Sequence, residues 1–458
     1  MLPPLDPLVH TFSVNDRRFA LDVNSGALHA LDAVAFALLQ REEVRQALSR
    51  PLVGAEPAGL GAEERETFAE LAELVRQGTL FSAMPPLPDS PAAPPALKAL
   101  CLHLAHDCNL RCAYCFAQEG GFGGERGLMP AEVGRRALDL LISGSGRRRK
   151  LAVDFFGGEP LLNLGVVREL ADYARTRAAA AGKEVTFTLT TNALALTGEA
   201  LDYLAASDFN VVLSLDGRPE VHDRLRRRPG GAGSHAAVLA NCRSFVERRG
   251  GTNYYLRGTF THHNLDFCAD VEYLLQAGFR SLSLEPVVAA EGPWALQEED
   301  LPALLAEYDK LAALYLAEHR AGRPFTFYHF NLALFDAPCL PRRLTGCGAG
   351  YEYLAVTPSG DLYPCHQFVG REGFKLGDVF TGQIDQARAA EFRQANVLAK
   401  PACRRCWARF HCSGGCQANA HLFSGNLYEP YALGCALQKK RIECALAVQG
   451  ELALDAAG

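Results

Sequence analysis

Between Phe12 and Val23, apolar and polar residues alternate on either side of Asn15-Asp16, the period-two pattern of a β-hairpin with a tight turn. Asp32 stands where it can cap a helix over residues 33–40, and residues 62–77 repeat apolar positions at helical spacing. Two strands and two or three helices make residues 1–83 a small α+β, winged-helix-like module. Residues 84–95 then read MPPLPDSPAAPP, six prolines in twelve positions. Proline removes donors and stiffens the backbone, so residues 84–96 are expected to form an extended linker. From 97 to 330 strand and helix patterns alternate. Apolar, β-branched or aromatic runs fall at 98–104, 151–156, 185–190, 210–215, 254–260 and 281–287, with helical patterns between them, one opened by Pro130. Repeated βα units build a parallel sheet with right-handed crossovers, either doubly wound or a barrel. Six units are too few for the eight-stranded closed form, so the predicted fold class is α/β, an open partial (β/α)6 barrel. Residues 331–458 are loop-rich and form the expected third domain.

Composition narrows the function classes. The chain has 458 residues and a net charge of −6, so no basic field argues for nucleic acid or an anionic membrane. Its start, MLPPLDPLVHTF, lacks the basic and apolar regions of a signal peptide, and no run of eighteen apolar residues occurs; a cytoplasmic location is expected. Fifteen cysteines are an odd number in a chain this large, which favours metal or redox use over disulfides. Nine of them (Cys339, Cys347, Cys365, Cys403, Cys406, Cys412, Cys416, Cys435 and Cys444) lie between residues 335 and 450.

The unusual residues cluster where the strands end. CNLRCAYC follows the first barrel strand, GGEP (157–160) the second, and TTN the third; Ser214 and Asp216 end the fourth. Carboxyl ends of parallel strands are where such folds place their chemistry. Cys108, Cys112 and Cys115 are spaced C-x3-C-x2-C. A structural zinc site is closed by four ligands, and a cubane iron–sulfur cluster offers four irons. Three thiolates on a cubane leave one iron open, a ligand site by construction. Other features have plainer readings. Cys101, Cys242, Cys268 and Cys444 are expected to be packed thiols, and the charge runs 147–150 and 226–228 solvated faces unless a motif claims Arg226. The glycine-rich stretch 120–127 is either a flexible turn or a lid, the lid favoured by its place after the cysteine loop.

CNLRCAYC, with an aromatic residue before its third cysteine, resembles the radical S-adenosylmethionine superfamily. The resemblance implies that Cys108, Cys112 and Cys115 hold a 4Fe–4S cluster whose open iron chelates S-adenosylmethionine. By it, Gly157, Gly158, Glu159 and Pro160 match the segment that holds the methionine amino group. Thr191, Asn192, Ser214 and Asp216 match positions lining the ribose and methionine pocket, and His222, Asp223 and Arg226 match an HDxxR pattern whose Arg approaches the carboxylate. No catalytic residue beyond the cluster is implied. The C-terminal cysteines resemble a SPASM domain with two auxiliary 4Fe–4S clusters, three clusters in all. Cys347, Cys365 and Cys416 would ligate the first; Cys403, Cys406, Cys412 and Cys435 the second. Either Cys339 completes the first auxiliary cluster, or that iron stays open for a substrate thiolate.

CLHLAHDCNLRCAYCFA, FGGERGLM and CGAGYEYLAVTPSGDLYPCHQF are similar to the thioether-forming SCIFF peptide maturases. That similarity implies Cys-to-Thr thioether crosslinking of a ribosomally made, Cys-rich precursor peptide, recognition of its leader by residues 1–83, and a low-potential donor such as ferredoxin or flavodoxin. Formylglycine formation, as in anaerobic sulfatase-maturating enzymes, is the alternative; those relatives carry Asp after the cysteine matching Cys365, where this chain has His366. A zinc-binding winged-helix regulator is the remote alternative, and it leaves the three cysteines at the barrel rim unexplained.

Overall fold

The computed structural model describes residues 9–49, 56–84, 96–332 and 340–457. The proline-rich residues 85–95 and Cys339 lie outside them.

The expected hairpin is β1 (Val9–Val14) and β2 (Arg17–Asp22), joined by Asn15 and Asp16, both at positive φ as a tight hairpin turn requires. A third strand, β3 (Leu28–Leu31), pairs antiparallel with β2. One face of this sheet meets helices α1 (Ala33–Leu38), α2 (Glu42–Leu48) and α3 (Ala62–Arg76) through Val9, Ala20, Leu38, Phe68 and Leu71. Asp32 caps α1 as the sequence suggests, accepting the Ala35 N–H at 2.7 Å.

The second region is the parallel array the repeat predicts. Strand β4 (Ala99–Ala105) leads into the two-residue β5 (Arg111–Cys112) and helix α4 (Ala131–Gly144). There follow β6 (Lys150–Gly157), α5 (Leu164–Ala180), β7 (Glu184–Thr191), α6 (Gly198–Ala206), β8 (Asn210–Ser214) and α7 (Pro219–Leu225). The chain continues through β9 (Arg226–Arg227), α8 (His235–Arg248), β10 (Tyr254–Phe260), α9 (Phe267–Gln276), β11 (Ser281–Pro286), α10 (Leu301–Arg320) and β12 (Thr326–Phe327). The six long strands lie side by side in chain order, all parallel, and the fold class is the mixed α/β open barrel expected.

The C-terminal region is less separate than its loop-rich sequence suggests. After α11 (Leu340–Thr345), strand β13 (Tyr353–Val356) pairs in parallel with β4, and β14 (Asp361–Tyr363) and β15 (Gly377–Asp378) extend the same sheet to ten strands. Short helices α12 (Gln386–Gln394), α13 (Pro401–Arg404), α14 (Arg409–Cys412) and α15 (Gln417–Ser424) follow; Cys403 lies in α13 and Cys412 in α14, with Cys406 between these two helices and Cys416 just before α15. The chain then forms the long α16 (Ala432–Ala457), which packs against α10 and across the free face of the front sheet. Phe12, Phe19 and Leu21 are thereby part of the barrel's hydrophobic core. Among the described residues, no helix is long and apolar enough to cross a membrane.

Candidate active site

The three-cysteine loop is stitched to the far side of the barrel. In the β5–β9 pair Cys112 faces Arg226, and the Ala113 N–H donates to the Leu225 carbonyl at 2.8 Å. The Cys108 sulfur receives N–H groups from the Leu110 backbone at 3.4 Å and the Asn192 side chain at 3.5 Å. Burial pushes the thiols of Cys108 and Cys112 up to about 11 and about 12, so both are protonated unless a metal displaces the proton. Among the described residues no three His, Cys, Asp or Glu side chains converge to hold a single metal ion. A cluster that takes one thiolate per iron spreads its ligands instead, and three grouped, otherwise unpaired cysteines fit it.

Glycines let the second strand's end lie against this loop. The Gly158 N–H donates to the Ala105 carbonyl at 2.8 Å and the Glu159 N–H to the Asp107 carbonyl at 2.9 Å. A Cβ on Gly158 would stand 2.2 Å from the Asp107 oxygen, and one on Gly120 would stand 2.8 Å from the Cys108 Cβ. Only glycine permits that approach.

Glu159 itself faces inward. Its carboxylate accepts the Leu161 N–H at 3.0 Å, the Thr191 hydroxyl at 2.8 Å and the Asn192 N–H at 2.8 Å. Burial pushes its pKa up to about 7, against the pull of those donors. Glu159 therefore fastens the ends of β6 and β7 together, and buried Pro160 starts the single 3-10 turn Pro160–Asn163 beneath it.

Of the charge run 226–228, expected as a solvated face, Arg226 is instead buried, grouped with Tyr114 and Asp216, and only Arg227 is exposed. The Tyr114 hydroxyl donates to Asp216 at 2.5 Å and accepts from Arg226 at 2.9 Å, and the Arg226 guanidinium stands 3.7 Å from Asp216. Asp216 also accepts the Thr259 N–H at 3.1 Å. Arg226 lines the cavity, and its buried Nε has no hydrogen-bond partner among the described residues, a donor left over that fits an anionic group. His222 and Asp223 support this group from behind. His222 accepts the Asp216 N–H through Nδ1 at 3.3 Å and bonds the Ser234 hydroxyl through Nε2 at 2.9 Å, while Asp223 caps the start of α8 through the Ser234 and His235 N–H groups.

A cavity of about 520 Å³ runs from the cysteine loop down the inner face of the strands. Of the expected residues, Cys108, Cys112, Cys115, Gly157, Gly158, Thr191, Asn192, Ser214 and Arg226 line it; Glu159, Pro160 and Asp216 stand behind its wall. Asp154, Tyr255, Arg257, Tyr328 and Tyr353 line it too and escaped the sequence reading. A period-two placing marks three of them, Asp154 with Phe156 along β6 and Tyr255 and Arg257 with Thr259 along β10; Tyr328 and Tyr353 have no such signal. Burial raises Asp154 to about 6. His366 and Gln367 bring the wall of the cavity to the residues next to Cys365. The stretch 120–127 is anchored at one end only: residues 120–122 are buried, with Phe122 against His103 and His106 and its carbonyl 2.2 Å from where a Cβ on Gly370 would stand, while residues 123–127 are exposed. Cys242, Cys268 and Cys444 are core thiols; Cys101 is buried at the cavity's edge.

The later cysteines fall into two neighbourhoods. Burial, then Cys416 and Cys347, raise the Cys365 thiol. Burial raises Cys403 to about 12 with Cys412, Cys435 and Cys406 around it; a second cavity of about 310 Å³ is bordered by Cys412 and Cys435 and also by Cys416, where the two neighbourhoods meet.

Comparison with known proteins agrees with this geometry. Residues 102–267 match the Radical SAM superfamily, and residues 347–407 match SPASM, an iron-sulfur cluster-binding domain. These domains imply S-adenosylmethionine and 4Fe–4S clusters. The mycofactocin maturase MftC of Mycobacterium ulcerans is 31% identical over 340 residues, which cover 71% of this chain and 85% of that protein. Among solved structures, anSMEcpe with bound AdoMet superposes with a TM-score of 0.66 at 20% identity, covering 79% of this chain and 96% of its own. Streptococcus suis SuiB bound to precursor peptide SuiA gives 0.52 at 16% identity over 94% of this chain and 99% of its own, a likeness of fold that includes the front module.

Proposed function

The chain belongs to the radical SAM superfamily and carries a SPASM domain, and on that premise we propose that it is a peptide maturase forming Cys-to-Thr thioether crosslinks in a ribosomally made, Cys-rich precursor. The observation that carries this reading is the shared cavity: the three-cysteine loop and the His366-Gln367 turn beside Cys365 line one space. A carbon held against the loop and a thiol held at the auxiliary site would therefore meet in it.

In this reading Cys108, Cys112 and Cys115 hold the first cluster, Cys347, Cys365 and Cys416 the second, with Cys339 or a substrate thiolate as its fourth ligand, and Cys403, Cys406, Cys412 and Cys435 the third. When bound, S-adenosylmethionine on the open iron supplies a 5′-deoxyadenosyl radical for hydrogen abstraction, and the auxiliary clusters supply an acceptor for the electron released. The chain's own residues then position and exclude. The Arg226 Nε offers a donor to a carboxylate, with Tyr114 and Asp216 fixing the guanidinium plane. Gly157 and Gly158 bring backbone close to the loop, and Asn192 holds Cys108 and Asn109 in place. Phe116 and Phe156 give the cavity an apolar wall that sheds water from a reactive site. Residues 1–83 take the leader, and a ferredoxin or flavodoxin supplies electrons.

Anaerobic reconstitution should give about twelve irons per chain if each site holds a cubane. Replacing Cys108, Cys112 and Cys115 by Ala should remove about a third of that iron and all S-adenosylmethionine cleavage. The decisive experiment is incubation with S-adenosylmethionine, a low-potential reductant and a short Cys-rich precursor peptide of the kind such maturases act on, sought among the open reading frames next to the gene, read by mass spectrometry. The product should lose two hydrogens per bond, keep its sulfur and resist alkylation at the crosslinked cysteine. A product that has lost sulfur and reacts with hydrazide identifies formylglycine formation and overturns the thioether reading.

A further inference from the structure

Lys400 is 1% exposed, as deeply buried as the apolar core around it. Its ammonium donates to the Gly414 carbonyl at 2.8 Å, and no carboxylate among the described residues forms an ion pair with it. A buried ammonium without an acid partner is costly, and burial does lower its pKa. What opposes this is negative charge on sulfur: as thiolates, Cys403, Cys412, Cys416 and Cys435 all lie near enough to favour the charged form. The contact at Gly414 is also specific. Ser413, Gly414 and Gly415 are three consecutive residues at positive φ (59°, 85° and 73°), and they connect Cys412 to Cys416. Those two cysteines belong to different neighbourhoods, so Lys400 is tied to the one short segment that bridges both.

We propose that Lys400 is the countercharge of the auxiliary iron–sulfur sites, a positioning residue that raises their reduction potentials and holds the Cys412–Cys416 connector between them. This rests on the assignment of those cysteines as cluster ligands. A cluster held by thiolates is anionic, and reduction adds a further negative charge. A fixed cation a short distance away, screened from water, stabilises the reduced form more than the oxidised one.

The test uses the full chain carrying Cys108→Ala, Cys112→Ala and Cys115→Ala, so that only auxiliary clusters contribute to the spectra. Into it go Lys400→Gln, which removes the charge, and Lys400→Arg, which keeps it. Iron and acid-labile sulfide are counted, and midpoint potentials are read by EPR-monitored redox titration. Lys400→Gln should keep its iron and shift downward by about tenfold in the reduced-to-oxidised ratio at fixed potential, which is about 59 mV for one electron. Lys400→Arg should titrate close to the parent. Iron loss confined to Lys400→Gln and absent from Lys400→Arg also supports a charge role. An unchanged potential in Lys400→Gln, an equal shift in both variants, or iron loss from both overturns it. Should the parent itself bind no iron, the ligand assignment has failed, a result separate from any of these.

Discussion

Tyr114 contributes a single hydroxyl, but that oxygen both donates to Asp216 and accepts from Arg226 inside the barrel. Tyr114→Phe leaves the ring's packing intact and strips one partner from each charged group. Thermal or denaturant unfolding of the reconstituted protein should show a loss of about 1–3 kcal/mol, with iron content unchanged. Gly120→Ala tests the opposite kind of constraint. At φ 91° and with Cys108 Cβ 2.8 Å from the new methyl, the substitution must push the cysteine loop outward. Loss of about four irons, with the auxiliary spectra preserved, is the expected outcome. Residues of these two kinds were unequally visible in the sequence. Cys108, Cys112 and Cys115 announce themselves because local spacing alone defines their chemistry. The role of Tyr114 is set by a partner 102 positions away, and Lys400 is indistinguishable in sequence from a surface lysine.

At the scale of elements, what was legible is what has a strong period. The six barrel strands were readable because their apolar runs are bounded by clear helical patterns. The β5–β9 pair was not, because two residues per strand carry no periodic signal. Strand β3 is only four residues long and half-buried, and α16 is enclosed on several sides, so neither shows a simple amphipathic stripe. The turn from β8 through α7 to β9 carries a pH dependence of its own. Burial, with Arg226 and His235 nearby, holds His222 down to about 2. It is therefore neutral in the fold, while the unfolded chain takes up a proton near pH 6.5. Stability is complete above that value and falls as the pH drops. Between pH 6.5 and 5.5 this one residue should cost about 1 kcal/mol, and His222→Gln should flatten the slope by that amount in anaerobic denaturation curves.

For the molecule as a whole, the proline-rich boundary suggests a detachable front module, yet the core crosses it. Phe12, Phe19 and Leu21 are covered by the C-terminal helix rather than by the module's own helices. His10 stacks on Trp407 at 3.9 Å and bonds Glu443 at 2.9 Å, and Asn24 accepts from buried Arg409 at 2.9 Å. Exposing three large apolar side chains costs about 1.5–3 kcal/mol each, comparable with the entire stability of a small domain. Residues 1–83 alone should therefore exchange their amide hydrogens freely, whereas the same segment in the full chain should be protected. Protection in the isolated fragment would show that the sheet needs no outside cover.

The same arrangement has a temporal meaning during synthesis. Strand β4 acquires one of its two neighbours only when residues 353–356 have been made, and β1 waits for a helix that begins at residue 432. A chain emerging from the ribosome thus carries an unpaired barrel edge and an uncovered apolar face for most of its translation. Contacts this distant in sequence form slowly and leave time for aggregation or chaperone capture. Iron delivered before the last helix closes would meet cysteines whose neighbours are still missing. The order in which the polypeptide is finished and its metal is inserted is in this way written into which ends of the chain touch.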